Sequence, residues 1–199
     1  SSLFTNSNAL MNGEWIFDVR LEFSPSTNNY AKVYLVANST DLLNTEGVYV
    51  KIGGQSGNVD DLSLHIQTGT NHTQIIKGTE GLLTNNPDIK VKVTRDDVGN
   101  WELFLDTNGI FFSEGTAFDN SIIQSDYFGI YCKYTITRSD KFWFDNFLVN
   151  GTVLSLLEHK KSKRILKIID VTSRESTLKN QPLFYIYDDG TVEKKITID

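Results

Sequence analysis

Tyr34, Tyr49 and Tyr131 stand in segments where every second residue is apolar, and each falls on the polar phase of its segment. Lys32, Lys51 and Lys133 sit two residues from them in the same phase. Trp143 joins this set because its segment, Phe142–Val149, is apolar in both phases. Flat aromatic faces held on a rigid sheet beside polar groups suit the stacking of sugar rings, so a polysaccharide is the ligand class these residues fit. The same spacing suits a second reading, in which the tyrosines pack across strands on long side chains and bind nothing.

The carboxylates point away from catalysis. A retaining glycosidase needs two carboxyl groups about 5–5.5 Å apart. On strands that requires acids at i and i+2, or a pair facing each other across neighbouring strands. Glu102 and Asp106 share a phase but are four residues apart, roughly 13 Å at the rise of a strand. Glu14, Asp18 and Glu22 are spaced in the same way, with Arg20 among them. The pattern Glu-x-Asp-x-x-Glu of glucanases is absent, and no histidine stands in a Ser-His-Asp order. These acids read as a solvated strand face and the chain as non-enzymatic, with a catalytic domain upstream left open. Cys132 is the single cysteine, which excludes an intrachain disulfide and a Cys/His metal cluster. Its apolar surroundings read as an inert, buried thiol. His65 reads as an outward strand residue, and His72 and His159 as loop or linker residues.

The elements that must position these residues are strands. Trp15, Phe17, Val19, Leu21 and Phe23 alternate with Glu14, Asp18, Arg20 and Glu22. Ala31, Val33, Leu35 and Ala37 repeat the pattern opposite Lys32 and Tyr34, and Val48, Val50 and Ile52 opposite Tyr49 and Lys51. Leu62, Leu64 and Ile66 follow, then Ile89, Val91 and Val93 against Lys90 and Lys92. Such alternation predicts antiparallel sheets with one wet face each. Asp97-Val98-Gly99-Asn100 predicts a hairpin turn between Val91–Arg95 and Trp101–Asp106. Phe128–Tyr134 and Phe142–Val149, apolar on both faces, are predicted to be central strands. About ten short strands and no helix-period segment give an all-β fold, an antiparallel jelly-roll β-sandwich followed by a small C-terminal β-domain.

Composition sets further bounds. The 199 residues are 39% hydrophobic, 12% aromatic and 22% charged, an ordinary globular make-up. No apolar run is long enough for a transmembrane helix. Ser1 opens no leader sequence, which reads as a processed or trimmed chain. The net charge of −6 is uneven. Residues 1–150 hold 10 Lys and Arg against 18 Asp and Glu, a net of −8, while residues 151–199 hold 9 against 7, a net of +2. An acidic module does not suit nucleic acid, whose phosphates require a basic face. The run Lys160-Lys161-Ser162-Lys163-Arg164 reads as a solvated linker.

Two stretches resemble known families. Asn12-Gly13-Glu14-Trp15, Phe23-Ser24-Pro25-Ser26, Tyr30–Val36, Val50–Gly54 and Lys92–Arg95 occur in order, followed by Gly99–Leu103, Tyr127–Cys132 and Lys141–Phe147. Residues 1–150 thereby resemble a concanavalin-A-like jelly-roll module of secreted Bacteroidetes proteins, often found beside lamin-tail domains. Such modules carry one or two further strands upstream. The resemblance therefore implies a chain that is the C-terminal part of a longer protein, with an open sheet edge where those strands would pair. It also implies that Asp145, in an aromatic-Asp-Asn-aromatic strand, is a ligand of structural calcium, the one cofactor suggested.

The second resemblance lies at the C-terminus. Arg164–Glu175 reads as a strand and a polar turn with an Arg-Glu pair. Gln181–Lys195 then reads as a hairpin, in which Leu183, Tyr185 and Tyr187 lead through Asp188 to Asp189-Gly190 at the bend, and Thr191, Val192, Glu193 and Lys194 lead back. This resembles the sorting domain of type IX secretion cargo, which Bacteroidetes export across the outer membrane. It implies the outer-membrane secretion machinery as a partner and an extracellular or outer-surface location. The expected division is a sandwich over 1–150, a linker over 151–163 and a sorting domain over 164–199.

Overall fold

A computed structural model of the chain describes residues 1–57, 59–152, 165–172, 174–176, 182–188, 190 and 192–196. His159, the 160–164 basic run, Asp189 and Thr191 lie outside them. The chain divides into two compact units, Ser1–Leu154 and Ser155–Asp199.

The first unit contains eleven strands: β1 (Ser2–Asn6), β2 (Met11–Leu21), β3 (Tyr30–Ala37), β4 (Glu46–Ile52), β5 (Leu62–Thr68), β6 (Asn71–Lys77), β7 (Asp88–Arg95), β8 (Asn100–Asp106), β9 (Phe111–Phe118), β10 (Tyr127–Lys133) and β11 (Phe142–Thr152). One turn of 3-10 helix, Ile136–Arg138, precedes β11. The strands form a six-stranded sheet in the order β1-β10-β3-β4-β5-β6 and a five-stranded sheet in the order β11-β2-β7-β8-β9, with antiparallel neighbours throughout.

The apolar phase of each strand meets the other sheet. Trp15, Phe17, Val19 and Leu21 of β2, with Val91 and Val93 of β7 and Trp101, Leu103 and Leu105 of β8, face Val33, Val50, Ile52, Leu62 and Leu64 of the six-stranded sheet in one buried cluster. Each large aliphatic side chain so buried is worth about 1.5–3 kcal/mol in hydrophobic transfer. Trp15 and Trp101 stack at 5.7 Å and 19° in this core. The Trp101 indole donates to the Asp119 carbonyl at 3.0 Å, which satisfies its polar edge.

The hairpin expected between β7 and β8 is present. Asp96 Oδ1 accepts from the backbone N–H groups of Val98, Gly99 and Asn100 at 2.8–3.0 Å. Gly99 supplies the left-handed φ of 108° that a side chain would strain. These bonds, led by the Asn100 amide, hold the Asp96 carboxyl below the usual carboxylate range.

Three expectations are corrected. β11 is an edge strand, not a central one. Its register shifts between Asp145 and Leu148, with Asn146 at φ 52°. Beside the bulge Phe147 touches the rings of Phe17 and Phe128, but Phe147, Leu148 and Trp143 all remain exposed, so both phases carry apolar residues without the strand being covered. A second bulge, between Tyr34 and Val36 on β3, ends the alternation there: Val36 joins the core and Ala37 moves to the tyrosine side. His72 lies on β6, where Asn-His-Thr-Gln carries no apolar alternation to mark a strand.

The second unit is a three-stranded antiparallel sheet, β12 (Ile165–Ile169), β13 (Pro182–Tyr187) and β14 (Val192–Ile196), in that order. Gly190 turns β13 into β14 at φ 81° and donates its N–H to the Tyr187 carbonyl at 3.0 Å. Leu183, Tyr185, Glu193 and Lys195 share one face by register. On it the Tyr187 hydroxyl donates to Glu193 at 2.9 Å and accepts from Lys195 at 3.2 Å.

Gly47 tests the close approach of β3 and β4. A Cβ there would lie 2.2 Å from the Val36 carbonyl oxygen, which is backbone and cannot swing away. Gly47→Ala should cost about 1–3 kcal/mol, read as a lowered denaturant midpoint with an unchanged slope. An unchanged midpoint would show that the bulge beside it yields freely.

Candidate functional site

Because the apolar phase is spent on the core, the other phase of the six-stranded sheet forms one continuous outer face. Antiparallel register arranges it in rows. One row runs Phe4–Gly129–Tyr34–Tyr49–His65–Gln74. The next runs Ser2–Tyr131–Lys32–Lys51–Ser63–Lys77. Beyond it Lys133 faces Tyr30, and on the other side a row runs Asn6–Tyr127–Ala37–Gly47–Gln67–His72. None of these positions holds an Asp or Glu.

The structure brings Tyr34, Tyr49 and Tyr131 onto this single face, but not as an open platform. Tyr34 and Tyr49 are only 1% and 2% exposed, in a small second core with Ala37 onto which Phe4, Leu42, Tyr127 and Tyr131 pack. Tyr34 touches Tyr49 at 5.1 Å and Phe4 at 5.6 Å between centroids. Its hydroxyl donates to Gln67 Oε1 at 2.7 Å, and Gln67 in turn donates to the carbonyls of Leu42 and Gly69. His65 stacks flat on Tyr49 at 5.1 Å and 3°, and the Tyr49 hydroxyl pairs with His72 Nδ1 at 3.2 Å. Two adjacent strands with tyrosines in direct register cover one another's rings, and that is why these two are lost to solvent. Burial, reinforced by the neighbouring tyrosines, pushes both phenols far above their ordinary range. Tyr131 and Tyr30 are half-buried and still meet solvent, as do Phe4, Tyr127, His65 and the exposed His72 in the neighbouring rows.

Trp143 is elsewhere. It lies on the outer face of the five-stranded sheet, 51% exposed, with the Arg20 guanidinium 5.3 Å from its ring centre. That face carries the acids: one row there runs Asp145–Asp18–Lys90–Asp106–Phe111. Lys90 separates Asp18 from Asp106, and Thr94 separates Glu14 from Glu102 in the same way.

Asp145 and Asp18 do face each other directly. Lys90 lies 3.5 Å from Asp18 Oδ1, and the Asn146 amide donates to Asp18 Oδ2 at 2.6 Å. Among the described residues no group of three or more His, Cys, Asp or Glu side chains converges. Two carboxylates with an ammonium already on one of them fall short of the six to eight oxygens calcium takes, so the residues present do not fit that ion.

Lysines complete the six-stranded face. Lys32 Nζ lies 4.2 Å from the Tyr49 ring centre, 5.8 Å from Tyr131 and 6.0 Å from Tyr34. Lys51 and Lys133 sit 5.2 and 5.6 Å from Tyr30. Burial, with Lys51 beside it, lowers the Lys32 ammonium to about 8. Cys132, by contrast, packs against the main core, and burial pushes its thiol up to about 11. Sequence reasoning passed over Tyr30, although it shares the phase of Lys32 and Tyr34. It also missed His65 and His72 as partners of Tyr49, because strand pairing across β4, β5 and β6 is not written in any one segment.

No protein-family model matches the chain, and no curated protein is significantly similar to it. Solved structures are. The legume lectin-like domain from Entamoeba histolytica superposes with a TM-score of 0.54 over 76% of this chain and 79% of its own, at 12% identity. The exoplasmic/lumenal domain of VIP36, in a form bound to Ca2+ and Man3GlcNAc, superposes with a TM-score of 0.56 over 77% of this chain and 74% of its own, also at 12% identity. The same domain in a Ca2+/mannose-bound form gives 0.55 at 10% identity. The fold is the concanavalin-A-like jelly roll.

His65 gives this face a pH signature. Burial first, then Lys51, Lys32 and His72, lower its imidazole from 6.5 to about 4. The unfolded chain takes up this proton near 6.5 and the folded chain only near 4. Between those values the unfolded state holds more protons, so stability falls as pH drops through the window and the loss is complete below it. Tm should therefore fall more steeply towards pH 4 in the wild type than in His65→Gln. Parallel curves would show that His65 is solvated rather than held under the lysines.

Proposed function

We propose that residues 1–150 form a non-enzymatic sugar-binding module that works outside the cell, with the outer face of the six-stranded sheet as its recognition surface. The observation that carries this reading is a face whose strand positions hold rings and ammonium groups and no acid: Tyr131 and Tyr30, half-buried, Lys32, Lys51 and Lys133 beside them, and a second core of Tyr34 and Tyr49 beneath. Stacking on a preordered ring limits the ordering cost of binding. The fold shared with a sugar-bound lectin domain supports the same reading. Trp143, 51% exposed on the other sheet, is not part of it.

Tyr30→Ala with Tyr131→Ala should weaken retention on the polysaccharide that the wild type binds by about tenfold or more, at on the order of 1 kcal/mol per stacked ring. The far-UV spectrum should not change. Wild-type protein that binds nothing across a broad glycan array would overturn the proposal.

The reading extends to the C-terminal unit. Residues 164–199 act as a type IX sorting domain, joined by the 151–163 linker and recognised by the outer-membrane machinery through the shape of the β13–β14 hairpin. The left-handed Gly190, φ 81°, supports it. A reporter fused to residues 152–199 should be exported by a type IX-competent host. Gly190→Val, which forces a β-branched residue into that conformation, should reduce export several-fold. Undiminished export of the variant would mean that the machinery does not read the hairpin.

A further inference from the structure

Lys32 and Lys51 are direct register partners on β3 and β4. Like charges placed opposite each other across two strands destabilise a sheet. An ordinary surface would relieve them with a carboxylate, and this module has 18 in residues 1–150. Yet no outward position of this sheet carries one, and six acids in three outward rows of the other sheet, Glu14, Asp18, Asp88, Glu102, Asp106 and Asp145, all lie on the opposite side of the sandwich.

Lys32 has no hydrogen-bond or ion-pair acceptor among the described residues. Its contacts are the rings of Tyr49, Tyr131 and Tyr34. Lys51 donates to the Gly54 carbonyl at 3.3 Å and feels Asp61 and Asp60 from the loop after β4, while Lys133 donates to the Thr27 carbonyl at 3.0 Å. A half-buried ammonium without an acceptor lacks part of its solvation, and an oxyanion restores it through short, charge-assisted hydrogen bonds.

We infer that this face recognises acidic polysaccharides, an anionic substituent of the sugar docking between Lys32 and Lys51 while the ring rests on Tyr131. The inference rests on the sugar-binding reading above and adds the ligand class. Carboxylate of a uronic acid and sulfate ester share the required chemistry, a localised negative charge on a sugar ring. A neutral glycan would leave the like-charge pair uncompensated.

The test is affinity electrophoresis of the full 199-residue chain in gels containing polygalacturonate, chondroitin sulfate, or a neutral xylan, at low and moderate salt. Polygalacturonate or chondroitin sulfate should retard the protein; retardation by polygalacturonate shows that a carboxylate suffices, and retardation by chondroitin sulfate alone, which carries both groups, shows that the sulfate is needed. Retardation should weaken about tenfold as salt rises, since the attraction is screened. Lys32→Met with Lys51→Met should abolish it. The Tm of that variant should be no lower than that of the wild type, because methionine keeps the side-chain stem while the opposed charges are gone. Lys32→Arg should retain binding. Affinity should also decline as pH rises past about 8, where Lys32 loses its proton. The titratable groups facing Lys32 are Lys51, Tyr34, Tyr49, Tyr131, His65 and His72; burial raises the phenols of Tyr34 and Tyr49 away from that range and lowers the imidazoles of His65 and His72 below it.

Binding to xylan with equal strength in wild type and the Lys variant would overturn this inference and leave sugar binding standing. Retardation by duplex DNA equal to that by the acidic glycans would also overturn it, since charge alone would then be at work. Binding to none of the glycans would remove both readings together.

Discussion

The two-residue period of the strand is the constraint on which everything else here rests. Each residue committed to the core decides the fate of its neighbours, and a slip of one position would exchange the two faces. Val33, Val50 and Leu64, register partners across β3, β4 and β5, are wholly buried. Lys32, Lys51 and Ser63 are therefore register partners too, one residue earlier or later, on the outside. The hydrophobic core thus assembles the lysine row without any attraction between its members. Bulges limit how far the rule extends. That at Tyr34/Val36 closes the tyrosine row against Ala37, and that at Tyr127/Gly129 lets Phe4 reach over a glycine to the Tyr34 ring.

Holding Lys32 and Lys51 opposite each other has an electrostatic cost, and the residues beneath them show how it is met. Tyrosine rings offer a negative π face to an ammonium, worth roughly 0.5–2 kcal/mol depending on exposure. Lys32 is within 6.0 Å of three such rings and Lys51 of one. This helps to hold the cations in place, yet it leaves the hydrogen-bonding capacity of Lys32 unused among the described residues and that of Lys51 only partly used, by the Gly54 carbonyl. A carboxylate in the sheet would have been a stronger partner and would have consumed that capacity. Burying Tyr34 and Tyr49 is therefore part of the design of the face: they cannot stack on a ligand, but they fix the ammonium groups that can meet one.

How much of this was legible in the sequence follows from the range of each interaction. The phases of Tyr34, Tyr49, Tyr131 and their lysines were readable, because alternation is local. The hairpin at Gly99 and the bend at Gly190 were readable because turn chemistry is written in two or three residues. What escaped was pairing. Phase shows that Tyr34 and Tyr49 share a side but not that they are direct partners, and only partners bury each other. The same gap put Trp143 with the tyrosines, although β11 belongs to the other sheet, and made β11 central, because a bulge with Asn146 in a left-handed conformation produces the same two-sided apolar pattern as full burial. β6 was missed since its outward row, His72 and Gln74, is polar and its inward residues few.

The separation of charge between the two outer faces bears on how a polyanion would arrive. The module as a whole is negative, so at distances beyond the Debye length, about 8 Å at physiological ionic strength, it offers a polyanion no net attraction. Within that distance the local field decides, and the strand positions of the six-stranded face present cations with no acid among them, although loop acids stand beside Lys51 and Lys77. Such an arrangement gives little electrostatic steering and so no great gain in association rate. It gives orientation instead. A chain of acidic sugars approaching Asp18, Asp106 and Asp145 is repelled, and one approaching Lys32 and Lys51 finds two ammonium groups, that of Lys32 without an acceptor among the described residues, on adjacent strands that run about 4.8 Å apart. Selectivity between faces, rather than speed, is what this distribution of charge produces.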